Sequence, residues 1–85
     1  MNNLTIYTKP DCGFCVMLKS LLEKHDIAYT EVDVSVDTQA RDFLVEAGHK
    51  TVPQIYQNGE LFVEGGYRGM HRYLTETQMD TRIIT

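Results

Sequence analysis

Cysteine is scarce in this chain. It has 85 residues and two cysteines, where a disulfide-stapled secreted scaffold would carry about four to eight. Cations are few as well: 8 Lys and Arg against 12 Asp and Glu leave a formal charge of −4. A general nucleic-acid binder needs a basic face to displace counterions, and so does adhesion to an anionic membrane, so both classes are disfavoured. Long apolar runs are missing. None approaches the roughly 7–15 residues of a signal h-region or the ~18 of a membrane span, and Met1-Asn2-Asn3 carries no basic side chain. A reducing, cytoplasmic setting is the resulting expectation. Repeats, low-complexity tracts and Pro/Gly/Ser linkers are also absent, so residues 1–85 are expected to form one domain. A chain of this length buries roughly 60–65% of its unfolded surface, enough for a core without staples. The two cysteines are therefore free for chemistry.

The apolar spacing predicts a βαβαββα order of α/β class. Leu4, Ile6 and Thr8 alternate with Thr5 and Tyr7, the period of a strand. Pro10-Asp11 breaks it, and Asp11 is placed to cap the next element. A helix is predicted from about Gly13 to Lys24, with Phe14, Val16, Met17, Leu18, Leu21 and Leu22 on a broad apolar face. A second strand is predicted at about Ala28–Val34, with Ala28, Thr30, Val32 and Val34 on one face. Asp37 caps a second helix through Ala47 that Gly48 closes, with Ala40, Phe43, Leu44 and Ala47 inward. Strands at about Pro53–Gln57 and Glu60–Val63 are joined by Asn58-Gly59, a strong two-residue hairpin signal. A last helix is predicted at about Tyr67–Glu76, its Tyr67, Met70, Tyr73 and Leu74 at core spacing. The first βαβ unit should be parallel and right-handed. The plan amounts to a four-stranded mixed sheet with helices on its faces. Residues 77–85 have no place in it and are expected as a docked, edge-paired or mobile tail.

Chemistry concentrates at Cys12-Gly13-Phe14-Cys15. The motif comes after a strand, crosses a short loop and opens a helix. Unpaired N–H groups and the macrodipole favour an anion there, so a sulfur at that place is held more readily as thiolate. Lys9 adds a positive charge nearby, and Cys15 lies one turn on, within reach of the same sulfur. This suits thiol–disulfide exchange, with Cys12 attacking and Cys15 resolving. A zinc site within one chain is disfavoured: His25, His49 and His71 show no finger-like spacing, and they read as surface or helix-end residues.

Thr51-Val52-Pro53 is the second constellation. Pro53 opens a strand and holds Val52 extended. A cis bond before Pro53 would let Val52 offer its backbone N–H and C=O to an extended peptide. Gly65-Gly66 is the third, a tight turn that also permits close approach of a carboxylate to the last helix.

With these three segments in order, the chain resembles glutaredoxins of the thioredoxin superfamily. The residues that carry the resemblance are Thr8-Lys9-Pro10-Asp11-Cys12-Gly13-Phe14-Cys15, Thr51-Val52-Pro53-Gln54-Ile55-Tyr56 and Gly65-Gly66-Tyr67, within about residues 3–76. The resemblance implies a thioredoxin-like fold, a cis bond before Pro53 and glutathione as reductant and co-substrate. It implies Cys12 as nucleophile and Cys15 as resolving thiol. Lys9 and Arg41 would attract the glycyl carboxylate, and Thr51, Val52 and Pro53 would pair with the cysteinyl backbone. Gly66 and Tyr67 would lie at the γ-glutamyl carboxylate, and Phe14 would line the groove. The partners implied are disulfide-bearing proteins, a ribonucleotide reductase among them, served by a monomer unless a cluster bridges two chains.

Two residues depart from that pattern. Arg68 stands where glutaredoxins usually carry an acidic residue that holds the γ-glutamyl ammonium. An Arg there grips a carboxylate and repels the ammonium. In this the chain resembles the small redoxins that thioredoxin reductase reduces in ribonucleotide-reductase systems. Gly13 stands where many two-cysteine glutaredoxins have Pro. Cys12-Gly13-Phe14 resembles the single-cysteine branch that carries a [2Fe–2S] cluster between two chains, held by the first cysteine and glutathione. A cluster carrier is the alternative to the enzyme.

Overall fold

The computed structural model of the chain describes the backbone of residues 3–84 and the side chains of residues 3–76. The elements are β1 (Leu4–Thr8), α1 (Gly13–Lys24), β2 (Tyr29–Asp33), α2 (Thr38–Glu46), β3 (Gln54–Gln57), β4 (Glu60–Val63) and α3 (Gly66–Ile84). The order matches the βαβαββα plan. The sheet runs β2-β1-β3-β4. β1 is parallel to β2, with Leu4 opposite Tyr29 and Thr8 opposite Asp33, as a single helical crossover requires. It is antiparallel to β3, with Ile6 opposite Ile55. Asn58 and Gly59 take φ of 54° and 81°, the two positive values that let a two-residue turn match the twist of β3 and β4.

Each face of the sheet builds its own core. Leu4, Ile6 and Ile55 meet Leu18 and Leu22 of α1 and Met70 and Leu74 of α3. On the other face Val34, Leu44 and Tyr56 form a smaller cluster beneath α2, with Tyr7, Ala40, Val52 and Leu61 against it. Tyr7, Phe43 and Tyr56 are in mutual ring contact there, at centroid distances of 5.3–5.9 Å.

Packing revises the expected faces. The buried stripe of α1 is Cys15, Leu18 and Leu22, spaced three and four apart, whereas Phe14, Val16 and Met17 are exposed. The N-cap is Cys12 rather than Asp11, which sits at φ 58° in the preceding turn. Ala28, just before β2, and Thr30 on it face solvent, and Tyr29 packs on the larger core. The strand lies at the sheet edge, where α1 covers one face only. Asp37 does cap α2, its carboxylate accepting from the Ala40 N–H at 3.0 Å, but Phe43 is half exposed and Ala47 lies outside the core. α3 continues to Ile84, past the expected end at Glu76, since neither Gly nor Pro comes after Gly69 to stop it. The side chains of residues 77–85 lie outside the described part. Among the described residues no helix is long and apolar enough to cross a membrane.

Candidate active site

Three elements converge on Cys12. β1 ends at buried Thr8, the chain turns at Pro10-Asp11, and Cys12 caps α1 with φ −111° and ψ 107°. Its Sγ accepts the Cys15 backbone N–H at 3.2 Å, so it occupies the place of an N-cap oxygen at a helix start. From the other side the segment before β3 approaches, and the Cys12 thiol donates to the Val52 carbonyl at 3.8 Å. The Val52–Pro53 bond is cis. Gln54, itself buried, donates from Nε2 to the Thr51 carbonyl at 2.9 Å and fixes this segment. Cys12 is half-buried, Cys15 is buried, and both are free thiols.

The two sulfurs are unequal. Burial pushes the Cys15 thiol up to about 11; its hydrogen bond to Cys12 and the Glu31 carboxylate push the same way, against a backbone N–H from Lys9. Glu31 is held on β2 by the Thr8 hydroxyl at 2.7 Å and by Lys19 at 3.1 Å, and the Thr8 bond leads in keeping its carboxyl below the usual range. Sequence reading missed this trio, since no spacing signal joins an edge-strand Glu to a strand-end Thr. At neutral pH a thiol near 11 is ionised in only about one molecule in 10⁴. Iodoacetamide should therefore alkylate reduced protein once, at Cys12, at pH 7–8, with Cys15 labelled only as the pH climbs toward 11. Mass spectrometry of the product decides it, and double labelling at neutral pH would contradict the burial account. Stability depends on the same group. The folded-state value lies above the usual 9.0, so this contribution is complete below pH 9 and is lost as pH rises through about 11.

Two grooves share Thr51 and Val52, whose carbonyl accepts from Cys12, as a wall. The first, about 430 Å³, is lined by Phe14, Thr51, Val52, Pro53, Gly66, Tyr67 and Arg68 together with Gly65. Phe14 and Tyr67 rings lie 6.1 Å apart, and the Arg68 guanidinium sits 6.0 Å over Phe14. The second, about 480 Å³, contains Lys9 and Arg41 beside the end of β1 and α2. The expected glutathione residues are thus gathered, but in two adjoining halves. Gly66 has a reason of its own: at φ 59°, an added Cβ would stand 2.6 Å from the Pro53 carbonyl oxygen. Its close approach is first to the protein's own backbone. The histidines are placed as expected near helix ends or the surface. His49, however, is tied to the core, with Nε2 2.7 Å from the Tyr56 hydroxyl. Among the described residues no three His, Cys, Asp or Glu side chains are grouped to hold a metal ion.

The Glutaredoxin family model matches residues 4–62, the stretch that holds the cysteine pair at the start of α1 and the cis bond before Pro53. The chain belongs to the glutaredoxin family. A protein of Mycobacterium tuberculosis named as a glutaredoxin is 44% identical over 54 residues, covering 61% of this chain and 64% of that protein. The glutaredoxin-like protein NrdH of Lactococcus lactis is 29% identical over 65 residues, covering 76% of this chain and 88% of that protein. A buckwheat glutaredoxin solved with glutathione superposes with a TM-score of 0.66 at 22% identity, over 95% of this chain and 72% of that one, a likeness of fold. The match spans less than two thirds of the mycobacterial protein's length. This glutaredoxin carries its paired cysteines at the start of α1, within the matched residues.

Proposed function

We propose that this chain is a glutathione-dependent thiol–disulfide oxidoreductase that reduces protein disulfides or glutathione mixed disulfides through Cys12 and Cys15. The observation that carries the reading is Cys12 Sγ at the N-cap of α1, 3.2 Å from the Cys15 N–H and 3.8 Å from the carbonyl of Val52, a residue that lines the first groove. The Cys12 thiolate attacks one sulfur of the substrate disulfide, a mixed disulfide forms, and the other sulfur leaves as thiolate and takes a proton. Cys15 then attacks Cys12 Sγ, loses its proton, and releases the second substrate thiol. Two electrons have moved from the dithiol to the substrate. The order of events is built into the site. In the reduced protein burial first, and then the hydrogen bond to Cys12, hold Cys15 protonated, which suits Cys12 as the first to attack. Two glutathione thiols restore the dithiol by the reverse chemistry and leave as glutathione disulfide.

Support for glutathione comes from the grooves. Lys9 and Arg41 line one groove beside Val52, and Gly66 and Tyr67 line the other, which suits an extended tripeptide laid across Val52. A dithiol kept reduced in this way suits a reducing compartment such as the cytoplasm. The donor is contested by Arg68, the one charged side chain in the first groove, with no carboxylate among its described lining to hold an ammonium. Arg68 and the likeness to NrdH support a second reading, a redoxin reduced by thioredoxin reductase, with a ribonucleotide reductase as acceptor. What this chain offers a [2Fe–2S] cluster is one accessible sulfur, Cys12, since Cys15 is buried.

Turnover of a small glutathione mixed disulfide, coupled to glutathione and glutathione reductase, tests the reading. Rapid glutathione-dependent turnover is expected. Turnover only with thioredoxin reductase would transfer the chain to the second reading. Arg68→Asp should lower the KM for glutathione by about five- to tenfold with little change in kcat, since an exposed charge pair contributes about 0.5–0.7 kcal/mol and reversing its sign doubles the change to about 1–1.4 kcal/mol. An unchanged KM would show that the guanidinium does not face the γ-glutamyl end.

A further inference from the structure

A backbone that pairs with a substrate cannot use the same groups to hold itself in place. The segment from Lys50 to Pro53 meets this conflict. α2 closes with Gly48 at φ 90°, and the Gly48 and His49 N–H groups donate to the Val45 and Leu44 carbonyls at 3.0 and 2.9 Å. Beyond them, among the described residues, no backbone-to-backbone hydrogen bond forms at residues 50–53 before β3 begins. Side chains hold the segment instead. Gln54 grips the Thr51 carbonyl at its far end. At its near end the half-buried His49 ring meets Tyr56, with Nε2 2.7 Å from the hydroxyl and the ring planes at 84°. Tyr56 is a firm anchor, buried and in edge-to-face ring contact with Tyr7 and Phe43. The Val52 side chain packs against the same cluster, and the Val52 carbonyl accepts from the Cys12 thiol. A path of contacts leads from His49 through Tyr56 to Val52 and the reactive sulfur.

We propose that His49 is a positioning residue for disulfide exchange: its bond to the Tyr56 hydroxyl fixes the entry to the Val52 segment, so that the Val52 backbone stays both free and in place for the substrate. The inference rests on the thiol-exchange reading and adds a residue to it. His49 acts on the reactive sulfur only through Tyr56 and Val52. Pairing with an extended substrate needs the Val52 groups already in place, and a segment with one tie fewer spends part of its time in positions that do not pair.

The test uses the full chain and three single variants. His49→Ala removes the bond from one side and Tyr56→Phe from the other, while His49→Gln keeps a polar nitrogen at about the reach of Nε2. For a small glutathione mixed disulfide, kcat/KM should fall about three- to tenfold in His49→Ala and in Tyr56→Phe, mainly through a higher KM. The double variant should lose no more than either single one, and His49→Gln should recover most of the activity. Backbone order parameters at Lys50, Thr51 and Val52 should drop in the two impaired variants. Alkylation of Cys12 by iodoacetamide needs no pairing with Val52, so its rate should stay within about twofold of wild type. A merely structural role would instead lower the melting temperature and the folded fraction, hence kcat at unchanged KM. That outcome, additive losses in the double variant, or His49→Gln as impaired as His49→Ala would overturn the inference and leave the exchange reading standing. Wild-type protein that alkylates at Cys12 but turns over no disulfide would sink the exchange reading. The order parameters then decide the His49 tie alone, and unchanged values at Val52 in His49→Ala would overturn it.

Discussion

Cys12→Ser will remove all disulfide exchange, a loss on the order of 10³-fold or more in turnover. The hydroxyl would still cap α1, because Ser is among the best N-cap residues. Fold and stability should therefore stay near wild type while the nucleophile disappears, since an alcohol does not ionise at neutral pH as a thiol can. Circular dichroism and thermal melting establish that the protein is folded, and the coupled mixed-disulfide assay reads the loss. Cys15→Ser separates the two sulfurs. Release of glutathione from a mixed disulfide needs one thiol, so that activity should persist. Direct reduction of a protein disulfide needs the second thiol to resolve the intermediate and should fall sharply. Cys15→Ser protein should accumulate a mixed disulfide on Cys12, visible as an added mass. Retained activity in Cys12→Ser, or equal loss of both activities in Cys15→Ser, would contradict the assigned roles.

Gly69→Ala should cost roughly 2–3 kcal/mol of stability, a drop of about 10–20 °C in melting temperature for a domain this small. Gly69 lies in the first turn of α3, and an added Cβ would overlap the Glu64 carbonyl. The obstacle is backbone, so no rotamer change relieves it, and the ~1 kcal/mol that Ala gains over Gly in a helix offsets only part. Moving the start of α3 also moves Gly66, Tyr67 and Arg68, so the first groove should weaken with the fold. Gly13→Ala is the control. It opens α1, and an added Cβ there meets nothing within 4 Å. The same substitution should leave stability unchanged or raise it slightly. Matching losses at the two positions would show that packing at Glu64 is not what requires Gly69.

The cysteine pair was legible because its meaning is local. A helix start puts Cys12 at the free N–H groups and Cys15 one turn away whatever surrounds them, and the bond at 3.2 Å is the consequence. β1, α1 and β4 were legible down to their ends for similar reasons: a proline, an Asn-Gly turn and a clear period mark them. The two halves of the expected glutathione site were recognisable only by resemblance. That Thr51 and Val52 divide them into separate grooves depends on how α2 and α3 pack on opposite faces. Gly69 carried no turn signal, because its constraint is the carbonyl of Glu64, the residue after β4.

By itself the sequence determined the element order, the hairpin and the two thiols at a helix start, since periodicity, turn chemistry and capping act between residues close along the chain. Tertiary structure alone decided which sulfur is buried, because the α1 stripe of Cys15, Leu18 and Leu22 turns inward only against a sheet. It alone placed Glu31 and Thr8 together on neighbouring strands and gathered Lys9, Arg41 and Lys50 around one groove. Those charges are 32 and 41 residues of sequence apart, taking Lys9 with Arg41 and with Lys50, and only chain crossover brings them within reach of one ligand.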